Sequence, residues 1–159
     1  MDTWRKGMMG WMIAAFLFVL VLQAATAAPE TAQQKARHIL KKSGVDGGLV
    51  VHVGCDTGRL TAALRANDRF VVHGLEADRT DVQKARSYLT SRGLNGPVSV
   101  KHWDAERLPY VENLVNLIVV EDPASVGKSE IMRVLAPRGV ALTEKNGQWT
   151  RTVKPRPDA

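Results

Sequence analysis

Blocks of hydrophobic and polar positions alternate along the chain and predict five strands interleaved with helices. Short, continuous apolar runs rich in β-branched residues predict strands at 49–53, 70–75, 98–102, 114–120 and 140–143. Apolar residues at helical spacing predict helices at 30–43, 59–66, 81–91 and 125–135. Continuous apolar strands that alternate with helices are typical of a parallel sheet covered on both faces. The pattern therefore predicts an α/β fold with a Rossmann-like, doubly wound, mostly parallel sheet that is truncated after strand five.

The sharpest local signal is the stretch VVHVGCDTG at residues 50–58. The first strand stops at Gly54, a second glycine follows at Gly58, and an amphipathic segment begins at once. Glycine lets the backbone approach a ligand closely, and the first N–H groups of a helix are free to bind it. The same pattern also suits a βα turn that needs glycine only for its geometry. Both interpretations follow from the sequence.

Acidic residues follow the predicted strands at the edge where doubly wound folds bind ligands. Glu76 ends the second strand 22 residues after Gly54, a position that suits an acceptor for both hydroxyls of a ribose. Asp104 follows the third strand beside Trp103 and could accept an adenine amino group. Alternatively, Glu76 is an exposed strand-end carboxylate, Asp104 caps a turn and Trp103 belongs to the core.

The residues of the glycine turn distinguish between two kinds of cofactor. A nicotinamide-binding turn has the form G-x-G-x-x-G, in which the middle glycine makes room for a pyrophosphate. This chain has G-C-D-T-G, and the carboxylate of Asp56 would repel a pyrophosphate. A ligand with an adenosine end, a positive centre and no phosphate is compatible with that acid. S-adenosylmethionine has these properties, and an NAD-type reductase is disfavoured.

Four stretches resemble, in the right order, the motifs of class I S-adenosylmethionine-dependent methyltransferases. They are VVHVGCDTGRLTAAL, VHGLEAD, DAERLPY and EIMRVLAPRGVAL, within residues 34–144. The first resembles the family form V-L-D-L-G-C-G-T-G, and the last resembles E-x-x-R-V-L-K-P-G-G. The resemblance implies methyl transfer from S-adenosylmethionine to an unidentified acceptor. It implies cofactor contacts at Gly54, Cys55, Asp56, Gly58, Glu76, Asp104 and Ala105.

The chain departs from the family pattern at four positions. His52 stands where the family usually has an acid, and Asp56 replaces the middle glycine. Asn116 replaces an aspartate in the fourth strand, and Arg138 replaces a glycine. Each departure weakens the expectation of tight cofactor binding, and no residue is identified as a catalytic base. The alternative is therefore a degenerate, non-catalytic methyltransferase-fold module that binds or assembles at the front of a larger exported protein.

Residues 1–27 have the three parts of a secretory signal peptide. Arg5 and Lys6 precede an almost wholly apolar run at 12–22, and Ala25-Thr26-Ala27 is a cleavage sequence. We therefore expect export to the periplasm or the medium, with no stable membrane span after cleavage. The alternative is an uncleaved membrane anchor, although the apolar run is shorter than the ~20 residues of a span. S-adenosylmethionine is made inside cells, so either the signal-peptide interpretation is wrong or the domain uses the fold for another purpose.

Composition and charge limit the partners and the domain organisation. The net charge of +6 is scattered and not interleaved with aromatic residues, so no nucleic-acid partner is expected. Cys55 is the only cysteine, which excludes an intrachain disulfide and a cysteine-based metal cluster, and no metal site is expected.

We predict a signal peptide at 1–27, an N-terminal helix at 28–46, a methyltransferase-like domain at 47–144 and a linker-like tail at 145–159. The tail resembles the junction that precedes a β-propeller in some secreted bacterial proteins, a domain absent from this chain.

Overall fold

The computed structural model describes residues 30–104, 106–122 and 125–156. The helices are α1 (Ala32–Ser43), α2 (Arg59–Leu64), α3 (Arg79–Ser91) and α4 (Lys128–Val134). The strands are β1 (Gly48–Val53), β2 (Phe70–Glu76), β3 (Val98–His102), β4 (Val115–Val120), β5 (Leu135–Lys145) and β6 (Gln148–Val153). The predicted signal peptide lies outside the described residues. Within the described ranges, no helix is long and apolar enough to cross a bilayer.

The strands form one sheet in the order β3-β2-β1-β4-β5-β6. The first five are parallel to their neighbours, and β6 runs antiparallel to β5. In register, Val53 at the end of β1 lies beside Leu75 of β2 and Val120 of β4, and Glu76 lies beside His102 of β3. The ends of the parallel strands therefore share one side of the sheet, here called the carboxyl edge. The predicted Rossmann-like α/β architecture is confirmed.

Alternating strand residues build two core layers, one on each face of the sheet. On the first face, Val50 and its same-side neighbours pack against α1, α2 and α3. On the second face, Val51 packs with α4 and with Trp103 and Leu108 of the loop that follows β3. Both Val50 and Val51 are fully buried. Burial on both faces explains why the central strands have continuous apolar sequences.

Side-chain caps fix the starts of the two longest helices. Thr31 and Gln34 form a capping box at α1, and α1 ends at Gly44, which has φ +70°. Asp78 caps α3 by accepting the N–H groups of Thr80 and Asp81. α3 therefore begins at Arg79, two residues earlier than predicted. The cap is thus Asp78 and not Thr80.

The predicted boundaries of β5 and α4 differ from the observed ones. β5 begins at Leu135, which lies beside Val115 of β4, and the register then shifts before Leu117 lies beside Val140. Pro137 and Gly139 occupy this irregular stretch and obscured the early part of the strand in the sequence. α4 is correspondingly shorter than predicted and ends at Val134.

The prediction that the sheet ends after strand five is wrong, and the linker-like interpretation of residues 145–159 is wrong for residues 148–153. β6 lies in this segment and forms a hairpin with β5, with Glu144 beside Trp149. Asn146 and Gly147 have φ values of +52° and +75°, which suit a tight two-residue hairpin turn. The strand was missed because most of its residues are exposed, so its sequence lacks the apolar run of a buried strand.

Candidate functional site at the carboxyl edge

The turn after β1 follows the predicted strand–turn–helix geometry. Gly54 has φ +76° and donates its N–H to the carbonyl of Leu75 at 3.0 Å. Asp56 has φ +42°, a left-handed conformation that aspartate adopts more readily than most residues. Gly58 has φ +76° and donates to the carbonyl of Cys55 at 2.8 Å. Aspartate therefore adopts a left-handed conformation at the place where the family pattern has its middle glycine.

The two glycines of this turn are required for different reasons. A Cβ atom on Gly58 would lie 2.9 Å from the Cβ of Ala85, so Gly58 lets α3 pack close to the turn. A Cβ atom on Gly54 would have no heavy atom within 4 Å. The open side of Gly54 therefore leaves its backbone accessible to a ligand.

The carboxylate of Glu76 joins the tip of β2 to the glycine turn. Its Oε2 accepts the N–H of Asp56 at 2.7 Å, and its Oε1 accepts the N–H groups of Ala77 at 2.8 Å and Asp78 at 3.1 Å. A carboxylate has about four lone-pair positions, of which these bonds use three. Glu76 is thus held rigidly at the edge and retains capacity for a further hydroxyl donor.

The segment after β3 brings Asp104 to the same edge. The N–H of Trp103 donates to the carbonyl of Glu76 at 2.8 Å. The side chain of Asp104 is 71% exposed, and its Oδ2 lies 3.8 Å from Nε2 of His102. Trp103 is buried and donates its indole N–H to the carbonyl of Arg107, so it belongs to the core. Ala105 lies outside the described residues.

The predicted cofactor-binding residues within the described ranges thus cluster at one edge. Gly54, Glu76 and Asp104 all follow or end strands that are adjacent in the sheet. Their contacts with a cofactor stay a prediction.

Cys55 contributes its backbone, but not its side chain, to the turn. The residue is 3% exposed, and a Cβ atom on Gly74 would lie 2.9 Å from its Sγ. Burial, with a smaller contribution from the negative charge of Glu76, raises the pKa of the thiol to about 12. The thiol is therefore a protonated core group.

A buried histidine occupies the position where the resemblance leads one to expect an acid. His52 is 1% exposed. Its Nδ1 lies 2.9 Å from Oγ1 of Thr61, and its Nε2 lies 3.0 Å from Oε1 of Glu121. Both ring nitrogens are therefore occupied, and a carboxylate from the end of β4 stands beside the histidine. His52 therefore has a structural environment.

The Glu121 carboxylate is also bound by a lysine from α1. Lys35 Nζ lies 2.9 Å from Oε2 of Glu121, 3.0 Å from Oε2 of Glu144 and 5.3 Å from the ring centre of Trp149. This lysine holds the first turn of α1 against the ends of β4 and β5. The pairing could not be predicted from the sequence, because Lys35 and Glu121 are 86 residues apart.

Glu121 and Lys35 both stay ionised at neutral pH. Burial alone would raise the pKa of Glu121, but its hydrogen bonds and electrostatic interactions with His52 and Lys35 outweigh that effect and lower the pKa to about 2. Burial alone would lower the pKa of Lys35, but Glu121 and Glu144 outweigh it and raise the pKa above its ordinary value. At neutral pH, Glu121 is therefore a carboxylate and Lys35 is an ammonium ion.

Asn116 lies away from the candidate site. Its Oδ1 accepts the N–H of Leu49 at 2.9 Å, at the amino ends of β4 and β1. A Cβ atom on Gly48 would collide with that oxygen, so the amide fills the space above the glycine. Asn116 therefore does not contact the carboxyl edge. The expectation that this departure from the family pattern weakens cofactor binding is not supported by its position.

Two residues of α4, not recognised from the sequence as parts of the site, hold the loop that follows Asp104. Glu130 Oε1 accepts the N–H of Leu108 at 2.7 Å. Arg133 donates to the carbonyl of Tyr110 at 2.9 Å and to that of Leu108 at 3.2 Å. Glu130 and Arg133 also pair with each other across one helical turn. The E-x-x-R spacing in EIMRVL was the available signal, since it places both side chains on one helix face.

Among the described residues, no group of three or more His, Cys, Asp or Glu side chains could hold a metal ion. A catalytic residue is not identified by this geometry. What the edge presents is a glycine turn with an open side, an anchored carboxylate and an exposed aspartate.

The sequence profile described as "Methyltransferase domain" matches residues 50–139, more than half of the chain. The chain belongs to this methyltransferase domain family. The match runs from β1 into β5 and so includes the glycine turn, Glu76 and Asp104. The family thus agrees with the resemblance found in the four sequence motifs.

Individual relatives agree with the family. The chain is 29% identical over 118 residues to methyltransferase GfsG of Streptomyces halstedii, covering 69% of this chain and 42% of GfsG. A putative S-adenosylmethionine-dependent methyltransferase from Methanococcus maripaludis superposes with a TM-score of 0.64 at 21% identity, covering 72% of this chain and 55% of that protein. A geranyl diphosphate methyltransferase in complex with S-adenosylmethionine has a TM-score of 0.62 at 17% identity, with coverages of 70% and 48%. The two structures share the fold, and this chain spans about two-fifths of GfsG.

Proposed function

We propose that this methyltransferase domain binds S-adenosylmethionine at the carboxyl edge and transfers its methyl group to an acceptor. The observation that carries the proposal is the 2.7 Å hydrogen bond between the N–H of Asp56 and the Glu76 carboxylate. It places the acid that suits a ribose directly beside the glycine turn. The family match and a neighbour solved with S-adenosylmethionine support the same cofactor.

The described residues fit such a ligand. Gly54 would face it with the open side of the turn, Glu76 would accept a ribose hydroxyl, and Asp104 would accept a donor on the adenine. Asp56 and Glu76 give the turn negative charge, which favours a cationic ligand over one with a pyrophosphate. S-adenosylmethionine supplies a methyl group that is already activated by its sulfonium. The domain therefore has to bind and align the two reactants.

Calorimetric titration of the full chain tests the cofactor directly. We expect saturable binding of S-adenosylmethionine and S-adenosylhomocysteine, with dissociation constants on the order of micromolar, and no binding of NADH. Binding of NADH alone would contradict the proposal and favour a reductase. Transfer is then tested with radiolabelled S-adenosylmethionine against a panel of small-molecule acceptors.

A second candidate function is a non-catalytic binding module with the same fold. It is favoured by His52, whose two ring nitrogens are both occupied, and by the absence of an identified catalytic base in the described ranges. A folded protein that binds neither S-adenosylmethionine nor S-adenosylhomocysteine would support this candidate over methyl transfer.

We also propose that residues 1–27 direct export and are removed. The supporting features are the basic start, the apolar run and the Ala25-Thr26-Ala27 sequence. N-terminal sequencing of protein recovered from cell fractions tests this. We expect an exported chain that begins at Ala28, whereas a retained chain that begins at Met1 would contradict the proposal.

A further inference from the structure

A cavity of about 290 Å³ lies on the second face of the sheet, between α4 and the β5–β6 hairpin. Thr143, Thr150 and Thr152 of the hairpin form one side of it, and Ile131 and Met132 of α4 are on the other. Ile131 and Met132 belong to the core layer of this face. The cavity is therefore open to solvent beside the exposed Lys128 and Thr150, and Ile131 and Met132 give it an apolar wall.

The cavity lies close to the carboxyl edge. In register, Thr143 lies beside Val120, the last residue of β4. Lys128, which also lines the cavity, is the first residue of α4, the helix that follows the end of β4. A molecule in the cavity would therefore be near the end of the sheet at which the glycine turn lies.

The polar groups of the cavity have unused bonding capacity. Thr143 lies directly beside Thr150 on the neighbouring strand, and Thr152 follows two residues later on the same side of β6. Within residues 30–104, 106–122 and 125–156, these three hydroxyls make no hydrogen bond and the ammonium of Lys128 makes no ion pair. Apolar walls with a few convergent polar groups are the usual composition of a small-molecule site.

The positive charge of Lys128 favours an occupant that carries an anionic group. Among the described residues that line the cavity, only Lys128 is charged, and a lysine ammonium pairs with an anionic oxygen. Threonine hydroxyls can donate further hydrogen bonds to the same group, while Ile131 and Met132 favour an apolar body.

We propose that this cavity binds a small, largely apolar molecule with one carboxylate or phosphate group, held by Lys128 and the threonine hydroxyls. Binding itself is independent of the cofactor. The role of the occupant as the methyl acceptor rests on the proposed function.

Nuclear magnetic resonance of the full chain with ¹³C-labelled methionine methyl groups provides a local test. Met132 is the only methionine in the described ranges, and a Met132→Leu variant assigns its signal. We expect hexanoate and hexyl phosphate to shift this signal saturably and hexanol to bind several-fold more weakly. Lys128→Gln should weaken hexanoate binding by about fivefold or more without affecting hexanol. Lys101→Gln, an exposed lysine on the opposite edge strand, is the matched control and should leave both unchanged.

The choice between a carboxylate and a phosphate follows from the relative affinities of hexanoate and hexyl phosphate. An unshifted Met132 signal, or equal loss of hexanoate binding in the Lys128 and Lys101 variants, would overturn the proposal. Hexanoate binding that depends on Lys128, in a protein that does not bind S-adenosylmethionine, would support the site and contradict the methyl-transfer proposal. Failure of the cavity proposal can thus be distinguished from failure of the methyl-transfer proposal.

Discussion

His52 and Glu121 are hydrogen bonded at the carboxyl edge, with Nε2 of the imidazole 3.0 Å from Oε1 of the carboxylate. Glu121 directly follows the end of β4, and its N–H lies 3.4 Å from the carbonyl of Val53 in β1. The bond therefore links the two central strands at the point where the glycine turn begins. Because Glu121 is ionised, Nε2 carries the hydrogen and donates it.

The Glu121 pKa predicts a specific acid sensitivity. Its value in the folded protein is about 2, below the ordinary value, because the partners His52 and Lys35 outweigh burial. The carboxylate therefore stabilises the fold above the ordinary glutamate pKa, and this stabilisation is lost as the pH falls towards about 2. In urea unfolding from about pH 5 downward, the free energy of unfolding should fall less steeply in Glu121→Gln than in the wild type. Glu106→Gln, an exposed control, should retain the wild-type slope, and equal slopes in all three proteins would contradict the assignment.

Replacement of Lys35 tests the ion pair itself. In Lys35→Met, the carboxylates of Glu121 and Glu144 lose their shared cation, so we expect the free energy of unfolding to fall by about 1–3 kcal/mol. The Lys35→Met/Glu121→Gln double variant should lose less than the sum of the two single variants, because both remove one interaction. Additive losses in chemical unfolding would show that the two side chains do not interact.

The buried strands and the glycine turn could be predicted from the sequence. The central strands and the glycine turn were located because buried strands are continuously apolar and Gly54 interrupts them. The β6 strand was missed because it is largely exposed, although Asn146-Gly147 is a strong hairpin signal. The composition of a short segment does not reveal a strand that is stabilised mainly by pairing with its neighbour.

The candidate site was only partly predictable for a related reason. Glu76 could be placed because it ends a strand at a fixed distance from the glycine turn. The contacts of Lys35 with Glu121 and Glu144 join distant parts of the chain, and only the folded sheet brings them together. Similarly, the position of Asn116 at the amino end of β4 became meaningful only with the register of the strands.

The glycines permit a separation of structural and ligand-binding effects. Gly54→Ala places a side chain at φ +76° in open space, so its cost should be about 1–2 kcal/mol of unfolding free energy. Gly44→Ala meets the same conditions at φ +70° and is the matched control. Both should show similar losses in thermal unfolding, but only Gly54→Ala should weaken S-adenosylhomocysteine binding, and Gly54→Val should abolish it. Normal binding in Gly54→Val would show that the turn is structural alone.

Gly58 should behave differently from Gly54. Its positive φ is combined with close packing against Ala85, so Gly58→Ala should cost about 2–4 kcal/mol of unfolding free energy. The additional loss relative to Gly54→Ala measures the packing of α3 on the turn. A Gly58→Ala variant as stable as Gly54→Ala in urea unfolding would contradict this packing argument.

The anchoring of the loop after β3 is testable by proteolysis. Arg133 donates to the carbonyls of Leu108 and Tyr110, so Arg133→Met should loosen the loop and speed trypsin cleavage after the exposed Arg107. Arg133→Lys keeps a charged donor and should be cleaved at an intermediate rate. Mass spectrometry of the first fragments identifies the cleavage site. Unchanged cleavage at Arg107 in Arg133→Met would contradict the anchoring role.

The central claim is that the anchored carboxylate of Glu76 binds the adenosine part of the cofactor. The most direct measurement is calorimetric titration of S-adenosylhomocysteine into the wild type, Glu76→Gln and the exposed control Glu106→Gln, each shown to be folded by circular dichroism. Loss of a hydrogen bond to a charged group should weaken binding by about tenfold or more in Glu76→Gln and leave the control at the wild-type affinity. A folded Glu76→Gln protein that binds S-adenosylhomocysteine as tightly as the wild type would contradict the claim.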